Sequence, residues 1–194
     1  MSPIDPIKRS CRRGGRRFWR EKRGNVAIEF ALVAPLLLLL IMGVLESGRF
    51  LMTHLKTQHA SITVADLVTR DETIDEATVT DLFNVVAQIM KPYPTGTSSV
   101  VIVSAISKNP SENPKVFWKR TGAGSLSHSS ILGSEGSTVT TIPGNLSIRD
   151  NETIIVVEIY YQFEPFYFRM FQPQIVSKFS YFRPRIGALQ SVAT

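Results

Sequence analysis

The chain has 194 residues, of which 43% are hydrophobic, with a formal net charge of +6 and one cysteine. That length allows one globular domain with an appendage rather than a multi-domain machine. The hydrophobic fraction excludes a wholly disordered chain, and the lone cysteine excludes a disulfide-stapled mini-scaffold.

The charge that suggests nucleic acid sits at one end. Residues 1–23 hold nine Lys or Arg against Asp5 and Glu21, a local net charge of +7, so the remaining 171 residues carry a net −1. A charge-based partner argument therefore concerns the tail alone. The RRGGRR stretch is similar to an RNA-binding arm, and an Arg-rich start also suits an organellar presequence. Neither explains why the basic run stops against an apolar segment.

From Val26 to Leu45 the chain reads VAIEFALVAPLLLLLIMGVL, with Glu29 its only charge. Twenty residues at about 1.5 Å each make a helix of roughly 30 Å, the thickness of a bilayer's hydrocarbon core. The run is apolar on every face, which disfavours a buried core helix with a single apolar stripe. Its length, and the helical pattern continuing through ESGRFLMTHLK, disfavour a cleaved secretory signal. Cys11 precedes the apolar core, so it is not a lipoprotein acceptor. Lys and Arg are dense before the span, whereas Arg49 and Lys56 alone follow in the next twenty residues. The positive-inside bias then predicts a cytoplasmic N-terminus and an external body, with the basic tail against anionic inner-membrane lipid.

Glu29 is the unusual residue. A carboxylate at the bilayer centre costs roughly 2.5–3.5 kcal/mol on insertion scales and less near an edge. The surrounding pattern runs from a basic tail through Arg23-Gly24, then Asn25-Val26-Ala27-Ile28, to Glu29-Phe30 and the apolar helix. It resembles the prepilin-peptidase site of type IV pilins and pseudopilins. The stretch GNVAIEFALVAPLLLLLIMGVLESGRF, with Glu29-Phe30, Pro35, the leucine run, Glu46 and Gly48, resembles more narrowly the TadE-like family of the tight-adherence (Flp, type IVc) pilus system. Arg183-Pro184-Arg185 also recurs in such proteins. The resemblance covers residues about 24–50. Major Flp pilins carry Glu-Tyr and are far shorter, so Glu-Phe here suits a minor component.

The resemblance implies a role for each residue. Gly24 would supply the scissile carbonyl, and its small size lets an extended backbone approach a peptidase. Asn25 would become the new amino terminus, and Glu29 would pair with the N-terminal amine of a neighbouring subunit, fixing register more than adding stability. Pro35 lacks an amide hydrogen and would kink the helix near Ala31.

Beyond the span, apolar residues recur at three- and four-residue steps through Leu51, Leu55, Ile62, Ala65 and Val68, predicting one helix from about Val26 to Thr69. A second helix is expected from Thr73 or Ile74 to Met90, with Asp75 and Glu76 in its first turn favourable to the helix dipole. Lys91-Pro92 ends it. Strands are expected at Val100–Ile106 (central), Lys115–Arg120, Thr138–Ile142, Ile154–Phe163 (the strongest) and Ile175–Phe182. Residues 121–138 hold four Gly and six Ser, the composition of a flexible loop, and Gly122-Ala123-Gly124 lacks the setting of a dinucleotide site.

Ten of the eighteen aromatics fall between Tyr160 and Phe182. They suit the core of a small sheet, and Phe166–Phe171 alternatively suits a membrane surface or partner. His54, His59 and His128 lack metal-ligand spacing, and no hydrolase or phosphate-loop motif occurs. The body lacks cysteine and so relies on its core.

The expected fold is α+β and pilin-like: a long N-terminal helix, a second helix and a small, mostly antiparallel sheet. The expected organisation is a basic leader (1–24), a transmembrane helix (25–46) and an extracytoplasmic domain (47–194). The expected function is that of a single-pass bacterial inner-membrane protein with a periplasmic C-terminal domain. It would be a minor pseudopilin or pilus-assembly component and not an enzyme. Expected partners are membrane lipid, a prepilin peptidase and other pilins or assembly proteins, with no cofactor, nucleic acid or small-molecule substrate. The alternative is an uncleaved membrane-anchored envelope sensor or binding module.

Overall fold

The computed structural model describes residues 25–142, 144, 146–166, 172–187 and 189–193. The leader, with Cys11 and Gly24, lies outside the described residues, as do Tyr167, Phe168, Arg169 and Phe171 of the aromatic segment. The chain divides after Val44 into two units.

The helix α1 (Asn25–Val68) runs through both units with Pro35 inside it. From Val26 to Val44 its side chains are exposed or half-buried. In the second unit, Thr53, Thr57, Ala60, Ser61, Val64, Ala65 and Val68 are buried at three- and four-residue steps. The Thr53 and Thr57 hydroxyls donate back to the carbonyls of Arg49 and Thr53, at 2.9 and 2.7 Å, so these small side chains are buried without losing a partner. Thr69 ends the helix by donating its hydroxyl to the Ala65 carbonyl at 2.9 Å.

Asp75 takes over the first turn of the second helix, α2 (Glu76–Met90), by accepting the Thr78 amide at 2.7 Å. The helix therefore starts just after Asp75, because a side chain that caps stays outside the helix it caps. Ile74–Asp75 forms a short strand, β1, paired in parallel with β6 (Val192–Ala193), a contact absent from the sequence expectation. Val79, Leu82, Val86 and Met90 form the buried face of α2. Its C-terminal end receives Lys56 of α1, which donates to the Ile89 carbonyl at 3.0 Å.

The sheet has four antiparallel strands: β2 (Ser99–Lys108), β3 (Lys115–Gly122), β4 (Glu152–Phe163) and β5 (Gln174–Phe182), in the order β3-β2-β4-β5. The two β-branched runs are its central strands, as a strand buried on both faces requires. Val101, Val103 and Ala105 of β2 and Ile155, Val157, Ile159 and Tyr161 of β4 join α1 and α2 in the main core. Trp118 joins that core and donates its indole N–H to the Leu189 carbonyl at 2.8 Å. The architecture is the expected α+β.

The opposite face of the sheet is covered by the connection between β3 and β4, where two expectations need correction. Residues 138–142 are not a strand: a single bridge joins Thr138 to Lys115. Val139 and Ile142 instead turn into a second core with Ile106, Val116, Ile154 and Val156, so packing wins over further pairing along β3. The Gly- and Ser-rich stretch is irregular but fastened down. Gly124, at φ +143°, lies where a Cβ would stand 2.1 Å from the Ser99 carbonyl oxygen, so only glycine lets the chain turn there.

Further along, Glu158 is fully buried on this face, where its carboxylate accepts the Ser130 hydroxyl at 2.7 Å, the Ile131 amide at 3.3 Å and the Tyr160 hydroxyl at 2.8 Å. Burial, and the bond to that carboxylate, push the Tyr160 phenol well above its ordinary pKa. His128 stacks on the Tyr160 ring with centroids 3.7 Å apart. A buried carboxylate with three donors holds the loop to the sheet.

Candidate functional site

The N-terminal motif enters the described structure at Asn25, the first residue of α1. Glu29 and Phe30 lie in its first two turns and are exposed, Phe30 at 67%. Pro35 follows within the same helix. Glu29, Phe30 and Pro35 thus share one helix, and Gly24 lies outside the described residues.

The helix from Val26 onward is long and apolar enough to cross a membrane, and its most apolar window has no residue buried inside the protein. A core helix of a soluble domain would be mostly buried. Leu32, Leu36 and Val44 are exposed at 74%, 65% and 63%, a cost in water that hydrocarbon removes.

Past Leu45 the helix acquires a polar foot. Glu46, the first ionisable side chain after the apolar run, is 3% exposed. Its carboxylate pairs with Arg49 of the same helix at 3.1 Å and accepts the backbone amide of Phe166 at 3.1 Å. The Arg49 guanidinium lies over the Phe163 and Phe166 rings, 5.6 and 5.7 Å from their centroids. Phe50 meets Phe163 edge-on at 5.2 Å. Glu46, Arg49 and the end of β4 therefore form one cluster. The motif reading marked Glu46 only as part of a pattern and missed its contact with Phe166. The one available signal was an acid placed where the apolar run ends.

The outer half of α1 also presents a second apolar side. Leu51, Leu55 and Ile62 are 60%, 57% and 42% exposed. At about 100° per residue they fall within roughly 40° of one another, on the side opposite the buried row Thr53, Thr57, Ala60 and Val64.

The Arg183-Pro184-Arg185 triplet ties elements together. Arg183 pairs with Glu152 at the start of β4. Arg185 pairs with Asp66 of α1 at 2.5 Å, and its amide donates to the Thr69 carbonyl at 3.1 Å. The triplet thus clamps the exit of β5 to the end of α1.

His54, His59 and His128 do not converge, and among the described residues no group of three His, Cys, Asp or Glu could hold a metal ion. His54 stacks edge-on against Phe50 at 4.5 Å. Burial, and then the charge of Lys178, hold its pKa below the usual histidine value.

Comparison with known proteins reaches the same segment from another direction. No curated protein and no solved structure matches the chain. A family model does match, and it covers residues 24–66, well beyond the stretch expected from the motif and into the outer half of α1. Residues 24–66, from the glycine of the N-terminal motif through most of the long helix, are similar to the family described as TadE-like protein.

Proposed function

We propose that the protein is a minor pseudopilin or assembly component of a tight-adherence (Flp, type IVc) pilus or a related secretion machine. Residues 26–45 anchor it in the bacterial inner membrane, with the basic leader in the cytoplasm and the α+β body in the periplasm. The body is a binding element and not an enzyme.

The observation that carries this reading is the two-sided outer half of α1. One side is already occupied by the protein's own sheet, yet Leu51, Leu55 and Ile62 line the other. A helix that only connected an anchor to a domain would carry polar side chains there. An exposed apolar line on the body's own helix suits a second helix of the same kind, and the commitment is to the corresponding helix of another pilin-like subunit. The TadE-like match over this helix supports that occupant.

The leader motif adds a processing step to the reading. A prepilin peptidase would cut after Gly24, removing the basic leader and freeing the Asn25 amine. The full chain is co-expressed with its cognate peptidase and its N-terminus is read by mass spectrometry. A new start at Asn25, abolished by Gly24→Asp, is the expected result. An intact N-terminus in piliated cells refutes processing. Loss of piliation on replacing Leu51 and Leu55 by Asp, with the protein still folded and membrane-bound, is expected of the assembly role, and normal pili would refute it.

A further inference from the structure

The cluster at the foot of the body has a feature that pilus assembly does not use. The Glu46 carboxylate holds the Phe166 amide at 3.1 Å. It ties the chain at Phe166, three residues after β4, to the residue that directly follows the apolar run of α1. Phe166 itself is 72% exposed. The Arg49 guanidinium lies over its ring, 5.7 Å from the centroid. A Phe ring this exposed leaves a large apolar surface in water, a cost that hydrocarbon removes. Where hydrocarbon gives way to headgroups, the ring would lie among upper acyl chains while the long Arg49 side chain carries its charge outward.

We propose that Phe166 is an interfacial anchor, seated in the phospholipid headgroup layer of the leaflet from which α1 emerges and held at that depth by Glu46. The occupant is lipid rather than a protein partner because the Glu46 bond sets the level of Phe166. Glu46 immediately follows the last residue of the apolar run, so any group tied to it lies at the membrane boundary. The proposal rests on residues 26–45 spanning the membrane. It adds a second attachment that restrains the body against tilting and spinning about a single helix.

The test uses the full chain with Cys11→Ser, reconstituted in phosphatidylethanolamine–phosphatidylglycerol vesicles. Nitroxide labels are placed singly at Phe166→Cys, at Leu38→Cys within the span, and at Ile131→Cys, an exposed apolar position on the β3–β4 connection. Collisions with oxygen report lipid, and collisions with a water-soluble nickel complex report solvent. The expected result is a loss of nickel collisions at both Phe166 and Leu38 relative to Ile131, with oxygen collisions retained. Nickel collisions at Phe166 equal to those at Ile131, with Leu38 protected, overturn the anchor and leave the span standing. Loss of both kinds of collision at Phe166 indicates a protein contact and also overturns it. Nickel access at Leu38 overturns the span and the anchor together.

Discussion

The two halves of α1 are one continuous helix with opposite relations to the rest of the chain. From Val26 to Leu45 no side chain is buried, although nearly all are apolar. From Glu46 to Val68 the buried row is made largely of small residues, Thr53, Thr57, Ala60 and Ser61, and the large apolar side chains Leu51 and Leu55 face outward. The difference teaches that apolarity alone does not identify what a helix packs against. Uniform apolarity without burial asks for a lipid solvent. A small-residue row asks for a close-packed sheet, and an apolar line opposite it asks for a further partner.

Breaking the first half carries the largest expected effect. Leu38→Arg combined with Ile41→Arg costs about 5–7 kcal/mol of insertion, from roughly 2.5–3.5 kcal/mol for each charge near the helix centre. The doubly substituted protein is expected to leave the membrane fraction on carbonate extraction while its body keeps its protease resistance. Retention in the membrane would contradict the span. In the second half the same logic reverses. Val64→Ala, at a fully buried position, is expected to lower the stability of the body by about 2 kcal/mol in denaturant titrations while leaving membrane attachment unchanged.

Smaller effects sharpen the contrast. Ser61 and Ser180 share a hydroxyl hydrogen bond at 2.8 Å between α1 and β5. Ser61→Ala is expected to cost about 1 kcal/mol, and a double-mutant cycle with Ser180→Ala should recover most of it as coupling. His54 gives the second half a pH dependence of its own. Its folded pKa lies below its ordinary 6.5, through burial and then Lys178. Stability from this group is therefore complete above 6.5 and lost as pH falls through the lower folded value. His54→Gln should flatten that part of the stability profile, and an unchanged slope would show that another group causes it.

The contrast also explains what the sequence could reveal. α1 was legible because its apolar run, polar exit and spaced apolar residues lie next to one another. The central strands were legible because β-branched runs such as Val100–Val103 and Ile154–Val157 suit a sheet covered on both faces. Residues 138–142 were misread as a strand because Val139 and Ile142 look alike whether they pair along β3 or fold inward to a second core. Glu158 gave no signal, since its loop donors Ser130 and Ile131 lie 28 and 27 residues away in the sequence. The Glu46–Phe166 contact spans 120 residues and was equally invisible. Arg183-Pro184-Arg185 stood out only by resemblance, and its role as a clamp needed Glu152 and Asp66 in place. Local periodicity is written in neighbouring residues, whereas long-range hydrogen bonds are set by topology.

The claim that the outer face of α1 receives another helix is tested most directly by photo-crosslinking in cells assembling the pilus. A benzophenone side chain is introduced at Leu55 on the exposed apolar line, and separately at Thr63 on the flank of the same helix. The account predicts a crosslink to a pilin-like subunit from Leu55 and little or none from Thr63. No adduct at Leu55 in piliated cells, or equal adducts at both positions, would contradict it.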